Sequence, residues 1–336
     1  MDDFIARLPK AELHLHLEGT VAPPTLRRLA ERYGTPLAAN FGDAGSDAID
    51  RLYATGTFSA FLDAFKTICQ HLRSPEDYEF ITYEALRQLA GQNVRYAELT
   101  LSAGVILWMG GSVGDYFAGA AEGARRALQD FGIRTAWIFD AVRQFGPEPA
   151  AEVVRQAARL RDRGVVGFGI GGDERKAPAE LFRDVFAGAR SEGLRITVHA
   201  GETDGPASVW GALNALGAER IGHGLTAAED PALVDYLVEK QVPVEICLTS
   251  NLRTGCLDDL RQHPLRRYFD RGMAVVLNTD DPALFGTDLN REYRLAREVF
   301  GFTDGELAQL ARTSFHAAFL PSRDRDAYLA DCFSAE

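Results

Sequence analysis

Residues 11–20 read AELHLHLEGT. Side chains alternate faces along a strand, so Glu12, His14, His16 and Glu18 share one face while Leu13, Leu15 and Leu17 share the other. A surface strand carries Lys, Thr or Ser at its outward positions far more often than two histidines. Two imidazoles about 7 Å apart on one strand face can converge on a single cation, and imidazole is the commonest protein metal ligand. The stretch therefore reads as a buried strand with an apolar side and a chemical side.

Similar short β-rich runs recur near 94–101, 133–141, 165–171, 195–200, 219–223, 242–248 and 273–279, which makes eight with the first. Helical patterns separate them, such as PAAEVVRQAARLRDRG at 149–164, PAELFRDVFAGARSEG at 178–193 and DPALVDYLVEKQ at 230–241. Eight strand and helix units in alternation, with apolar strands, predict a parallel sheet closed into a (β/α)8 TIM barrel. An open doubly wound sheet is the competing architecture. No G-x-G-x-x-G follows the first strand, and GFGIGG at 167–172 does not supply that spacing before a helix. The interval 20–93 is too long for one crossover and contains TFSAFLDAFKTICQHL at 57–72. It is read as a helical insertion over the barrel mouth, part of a substrate lid, within one barrel domain spanning 1–336.

Of the 336 residues, 46% are hydrophobic and 25% charged, the balance of an ordinary globular protein with material for a large core. A formal charge of -12 argues against a nucleic-acid partner, which needs a basic footprint, and favours a small-molecule partner. The opening MDDFIARLPK lacks the basic start and apolar core of a signal peptide, so a cytoplasmic location is expected. The longest uncharged run, Leu99 to Gly114, is 16 residues, short of the roughly 20 that span a bilayer, so no membrane association is expected. Cys69, Cys247, Cys256 and Cys332 are scattered and suggest neither a disulfide frame nor a thiolate zinc site.

Barrel enzymes carry their chemistry at the C-terminal ends of the strands. Here those ends hold His14, His16 and Glu18 on the first strand, Gly171 to Glu174 on the fourth, and His199 and Glu202 on the fifth. They continue with His223 within IGHG, the segment CLTSN, and Asp280 and Asp281 within NTDDP. Four of the seven histidines fall at strand ends; His71, His263 and His316 fall in helical or turn patterns and read as surface or packing residues. Three histidines and a carboxylate on converging strands suit zinc with an open coordination position. Zinc brings the pKa of a bound water to about 7, which supplies a nucleophile for hydrolysis.

The ordered set HLHLEG, GGDE, HAGE, IGHG, CLTSN and NTDDP resembles the adenosine deaminase family of the amidohydrolase superfamily, over residues 9 to about 320. The resemblance implies a purine-nucleoside aminohydrolase with one Zn2+ per chain held by His14, His16, His199 and Asp280. It implies catalytic roles for Glu202, His223 and Asp280. It further implies that Gly172 and Asp281 contact the purine ring and that Glu18, where the family commonly has Asp, meets the sugar end. Glu202 would protonate ring N1, His223 would orient and deprotonate the attacking water, Gly172 would offer its N–H to N3, and Asp281 would meet N7. Asp280 and Asp281 would face opposite ways on a regular strand, so a bend encouraged by Pro282 is expected.

Adenosine is the substrate this reading favours, because a charged Glu18 would accept a free 5′-hydroxyl and repel an acidic extension. The alternative is 6-amino-6-deoxyfutalosine, a menaquinone precursor whose carboxylated 5′ arm would need a cation such as Arg73 or Arg143. Adenine deaminase and a barrel metallophosphoesterase are weaker alternatives. Strand 4 has no lysine to bridge two metals, since Lys176 lies beyond it.

Overall fold

The computed structural model describes residues 3–39 and 48–333. Eight strands follow one another around a single sheet in chain order: β1 (Lys10–His16), β2 (Val94–Leu101), β3 (Arg134–Val142), β4 (Val165–Gly171), β5 (Arg195–Ala200), β6 (Arg220–His223), β7 (Val244–Ile246) and β8 (Val275–Leu277). Each pairs in parallel with the next. The ring closes just past β8, where the Asp280 N–H donates to the His14 carbonyl at 3.0 Å and the His16 N–H donates to the Asp280 carbonyl at 2.9 Å. The fold is the (β/α)8 barrel that the alternation predicts, and its closing seam lies between two candidate metal-ligating segments.

All seven residues of β1 are buried, as a strand enclosed on both faces requires. Leu13 packs with Tyr96, Val276 and Phe315, whereas Leu15 and Leu17 join the main core. The last three strands are shorter than their apolar runs because the flanking residues leave the ladder to build the mouth. The Asn278 N–H still donates to the Ile246 carbonyl of β7 at 2.8 Å, while towards β1 its side chain takes over, with Oδ1 accepting from the Leu13 N–H at 2.8 Å and the His14 N–H at 3.1 Å. Cys247 leads directly into the helix Leu248–Arg253, so the end of CLTSN is helical.

Crossover helices cover the outside with one apolar face each; in Pro147–Arg159 the buried residues are Ala150, Val153, Val154 and Ala157, the spacing of a helical stripe. Among the described residues the interval 20–93 contains four α-helices, Pro23–Arg32, Ala48–Tyr53, Phe58–Cys69 and Pro75–Gly91, and the 3-10 turn Pro36–Ala39, with residues 40–47 outside the described ones. Pro75–Gly91, opened by a Ser74/Asp77 capping box, leads into β2. Phe58–Cys69 is capped by Thr57, whose hydroxyl accepts from the Ala60 N–H, and buries Phe61, Ala64 and Ile68. It forms one wall of the cavity at the barrel mouth. No described helix is long and apolar enough to cross a membrane, and the four cysteines are free thiols.

Candidate active site

The strand ends bring His14, His16, His199 and Asp280 together. His14 Nε2 lies 3.2 Å and His16 Nε2 3.4 Å from Asp280 Oδ1, and the Nε2 atoms of His16 and His199 are 3.2 Å apart. His223 adjoins them: with His14, His199 and Asp280 it offers ligand atoms that all fall within 4.8 Å of one another. His14 Nε2 and His16 Nδ1 are buried without a hydrogen-bond partner, a costly state for lone pairs unless something accepts them. Three imidazoles and one carboxylate are a donor set suited to zinc. These residues fit a cation.

Neighbours hold the set in place. Glu245 Oε2 engages His14 Nδ1 at 2.9 Å, which leaves Nε2 to face the centre, and Ser250 Oγ donates to Asp280 Oδ2 at 2.7 Å. A Cβ on Gly222 would come within 2.8 Å of His14 Cε1, so the IGHG glycine makes room for that ring. Asp280 and His223 both have positive φ, 65° and 64°, a conformation costly for residues with a side chain and characteristic of functional sites. The turn at Asp280 is the expected bend, and it allows Asp280 and Asp281 to line one cavity. Burial disfavours charge on His14, yet Asp280 and Glu245 together prevail and hold its imidazole up at about 10. Burial pushes His16 down to about 4 and His199 well below the ordinary histidine range.

Glu202 follows β5 and is almost fully buried. Its carboxyl is held well above the usual carboxylate range, first by burial and then by Asp280 and Glu174, so it carries a proton near neutral pH. His223 Nε2 lies 3.7 Å from Glu202 Oε2 and 4.0 Å from Asp280 Oδ2, and the Asn251 amide meets its Nδ1 at 3.2 Å. Burial lowers His223 to about 3, so its imidazole is neutral. A protonated carboxyl and a neutral imidazole thus flank one point beside the metal-ligating cluster. The turn that carries Glu202 is fixed by Glu174, whose carboxylate accepts from the N–H groups of Gly201, Glu202 and Thr203 at 2.7, 2.8 and 2.9 Å and from the Ser208 hydroxyl.

Asp281 is buried, both its carboxyl oxygens lack partners, and burial together with Asp280 pushes it well above the carboxylate range. Gly172, at φ +93°, lines the same cavity, where a Cβ would lie 2.3 Å from Gln144 Oε1. The cavity has a volume of about 330 Å3, within the roughly 300–1,000 Å3 of small-molecule sites. Glu202, His223, Asp280 and Asp281 stand at its polar end, and Phe58, Phe61, Leu62, Phe65 and Val105 line the remainder.

Residues 9–334 match the family model described as adenosine deaminase. The chain belongs to the adenosine deaminase family. It is an adenosine deaminase-like aminohydrolase of a metal-dependent family, which removes the phosphoesterase alternative. Among curated relatives, an aminodeoxyfutalosine deaminase from Streptomyces avermitilis is 41% identical over 324 residues, covering 95% of this chain and 89% of the relative. An adenine deaminase from Agrobacterium fabrum is 38% identical over 325 residues, covering 97% and 98%. An amidohydrolase from Burkholderia ambifaria, solved with bound Zn, superposes with a TM-score of 0.89 at 31% identity, covering 98% of this chain and 90% of the other.

Three expectations for the sugar end of this deaminase-family site change. Leu17 adopts helical dihedrals, so the strand alternation stops at His16 and Glu18 turns aside into a short 3-10 turn. Glu18 is completely buried, accepts from the Ser102 N–H at 3.2 Å and the Tyr78 hydroxyl at 3.4 Å, and does not line the cavity. Arg143 is buried and donates to the carbonyls of Ala177 and His199, while Arg73 lies over Tyr33 and donates to the Gln70 carbonyl; neither lines the cavity. His71 and His263 are buried packing residues, His71 meeting Thr35 and the Thr67 carbonyl and His263 accepting from the Leu265 N–H, and His316 is exposed. The supporting roles of Glu174, Glu245, Ser250 and Asn251 were missed by sequence reasoning. Their signal was present, since three of them lie inside the motifs GGDE and CLTSN.

Proposed function

We propose that this protein hydrolytically removes the 6-amino group of a 6-aminopurine that carries a carboxylated 5′ arm, as aminodeoxyfutalosine does. The observation that carries the reading is one continuous cavity: protonated Glu202 and neutral His223 stand at its inner end, and its apolar walls run well beyond what a ring alone needs. The name of the Streptomyces avermitilis relative agrees with it, and that of the Agrobacterium fabrum relative agrees with deamination of an adenine ring but not with the arm. A charged Glu18 at the sugar end would favour adenosine, but Glu18 is turned into the protein and accepts from the Ser102 N–H.

A cation held by His14, His16, His199 and Asp280 would supply the Lewis acidity that makes water nucleophilic near neutral pH. His223 Nε2, the ring atom left free by Asn251, orients the water and takes up its proton. Glu202 gives its proton to N1 as the C6–O bond forms, which relieves negative charge building on the ring. His223 passes the proton it took up to the amino group, the C6–N bond breaks and ammonia leaves, and the proton of the new C6 hydroxyl returns to Glu202, so the 6-oxo purine remains with both side chains restored. Asp281, protonated, donates to N7, and the backbone of Gly172 approaches N3.

Following ultraviolet absorbance with aminodeoxyfutalosine, adenine and adenosine tests the assignment. Aminodeoxyfutalosine is expected to have the highest kcat/KM; a preference of ~10²-fold for adenine or adenosine, about 2.7 kcal/mol in transition-state binding, overturns it. Adenine is the second reading, favoured by the adenine deaminase relative.

A further inference from the structure

Three segments from different barrel loops meet at the outer end of the cavity. Lys66 comes from the helix Phe58–Cys69, Trp108 ends the helix Ala103–Trp108 after β2, and Phe145 closes the 3-10 turn Arg143–Phe145 after β3. Lys66 Nζ lies 4.9 Å from the Trp108 ring centroid, and the Trp108 and Phe145 rings stack with centroids 5.7 Å apart and planes 17° apart. Trp108 is 50% exposed, and of the large apolar side chains left exposed among the described residues it is the one that lines the cavity. An indole held open to water beside a lysine, at the mouth of a site, has its contact surface prepared for a ligand.

Charge points the same way. The cavity is lined by the carboxyl groups of Asp63, Asp140, Glu202, Asp280 and Asp281, and Lys66 is the one lysine or arginine among its lining residues. Lys66 is exposed, and its ammonium stands over the Trp108 ring, at the cavity that both residues line. Glu202, Asp280 and Asp281 stand at the inner end, and an anionic ligand entering past the exposed carboxyl of Asp63 is met at the entrance by one cation, Lys66.

We propose that Lys66, backed by stacked Trp108 and Phe145, is an outer subsite that receives the carboxylated end of the substrate's 5′ arm. The proposal rests on the deaminase reading above and adds which residues select the acidic arm. It is tested by binding, independently of turnover. The probes are the dead-end product, a hypoxanthine nucleoside with the carboxylated arm, and its neutral methyl ester, each titrated by calorimetry against wild type, Lys66→Met and Lys66→Arg. Wild type is expected to bind the acid at least about fivefold more tightly than the ester, near 1 kcal/mol, the scale of a partly solvated ion pair. The preference should fall to within about twofold in Lys66→Met and persist in Lys66→Arg. Equal affinity of wild type for the two probes, or a preference that survives in Lys66→Met, overturns the subsite. Turnover of aminodeoxyfutalosine reads the deaminase assignment separately, so either can fail alone.

Discussion

The same loss of water pushes Glu202 and His223 in opposite directions, a carboxyl towards its protonated form and an imidazole towards its neutral one. That contrast suits the pair to the acid and base roles proposed for them. Glu202→Gln keeps the shape and removes the transferable proton, so the variant should fold and hold metal normally while kcat falls by at least ~10²-fold. Single-turnover kinetics alongside metal analysis check this, and near-normal turnover would remove Glu202 from the mechanism. Room for the ligands is also set residue by residue. Gly222→Ala would drive a methyl to 2.8 Å from His14 Cε1, and displacing that ring should weaken metal binding by roughly 10- to 100-fold in a chelator competition titration. At this scale the sequence is readable where an unusual residue type sits at a strand end, as with His14, His16, His199 and Asp280. It is silent where one dihedral decides, and Leu17 leaving the extended region is enough to take Glu18 out of the cavity.

The strands and their order follow from periodicity, because apolar runs separated by helical stripes have one economical closed arrangement. What periodicity does not reveal is how far each ladder extends. β7 and β8 have three residues each because Cys247 and Asn278 are already committed to the mouth. The turn after β5 shows what such commitment is worth. Glu174→Ala would strip three N–H groups of their acceptor in a buried turn, at a cost of about 2–4 kcal/mol, and should lower kcat at least ~10-fold by releasing Glu202. Urea denaturation with steady-state kinetics measures both. At the opposite end of the barrel, β1 begins with a buried lysine. Burial lowers Lys10 to about 7 from 10.5, and its Nζ donates to the carbonyls of Ile5 and Leu8. Between those two values the unfolded chain holds a proton that the folded one has released, so stability attributable to Lys10 rises with pH from about 7 to 10.5. The slope approaches 1.4 kcal/mol per pH unit at most. The stability difference between wild type and Lys10→Met, measured by denaturation at pH 7 and pH 9.5, should therefore shift in favour of wild type at the higher pH.

Across the whole molecule, one buried ionic network ties the barrel wall to the candidate metal-binding cluster. Arg220, fully enclosed on β6, pairs with Glu98 of β2 at 2.7 Å and with Glu245 of β7 at 2.5 Å, and lies 3.6 Å from the Phe319 ring centroid. Glu98 also accepts from the Phe319 N–H and the Tyr96 hydroxyl, and Glu245 engages His14. Strands β2, β6 and β7 and the segment around Phe319 thus meet on one guanidinium. No sequence pattern announces this network, because each member is a single charged residue in an apolar run and only barrel closure makes them neighbours. Its energetics follow from desolvation: the pairs gain little over apolar packing when intact, but a lone buried charge is expensive. Arg220→Met should leave Glu98 and Glu245 without a counter-charge and cost about 3–5 kcal/mol in urea unfolding. Adding Glu98→Gln should recover part of that loss, because one of the two stranded charges is removed with its parent cation. The site should report the same damage, since Glu245 without Arg220 takes up a proton more readily and grips His14 Nδ1 less well. Metal affinity of Arg220→Met is therefore expected to fall roughly 10- to 100-fold, while Glu98→Gln alone, which leaves the Arg220–Glu245–His14 chain whole, should change it far less. Equal losses in the two variants would show that the network acts through overall stability and not through its connection to His14.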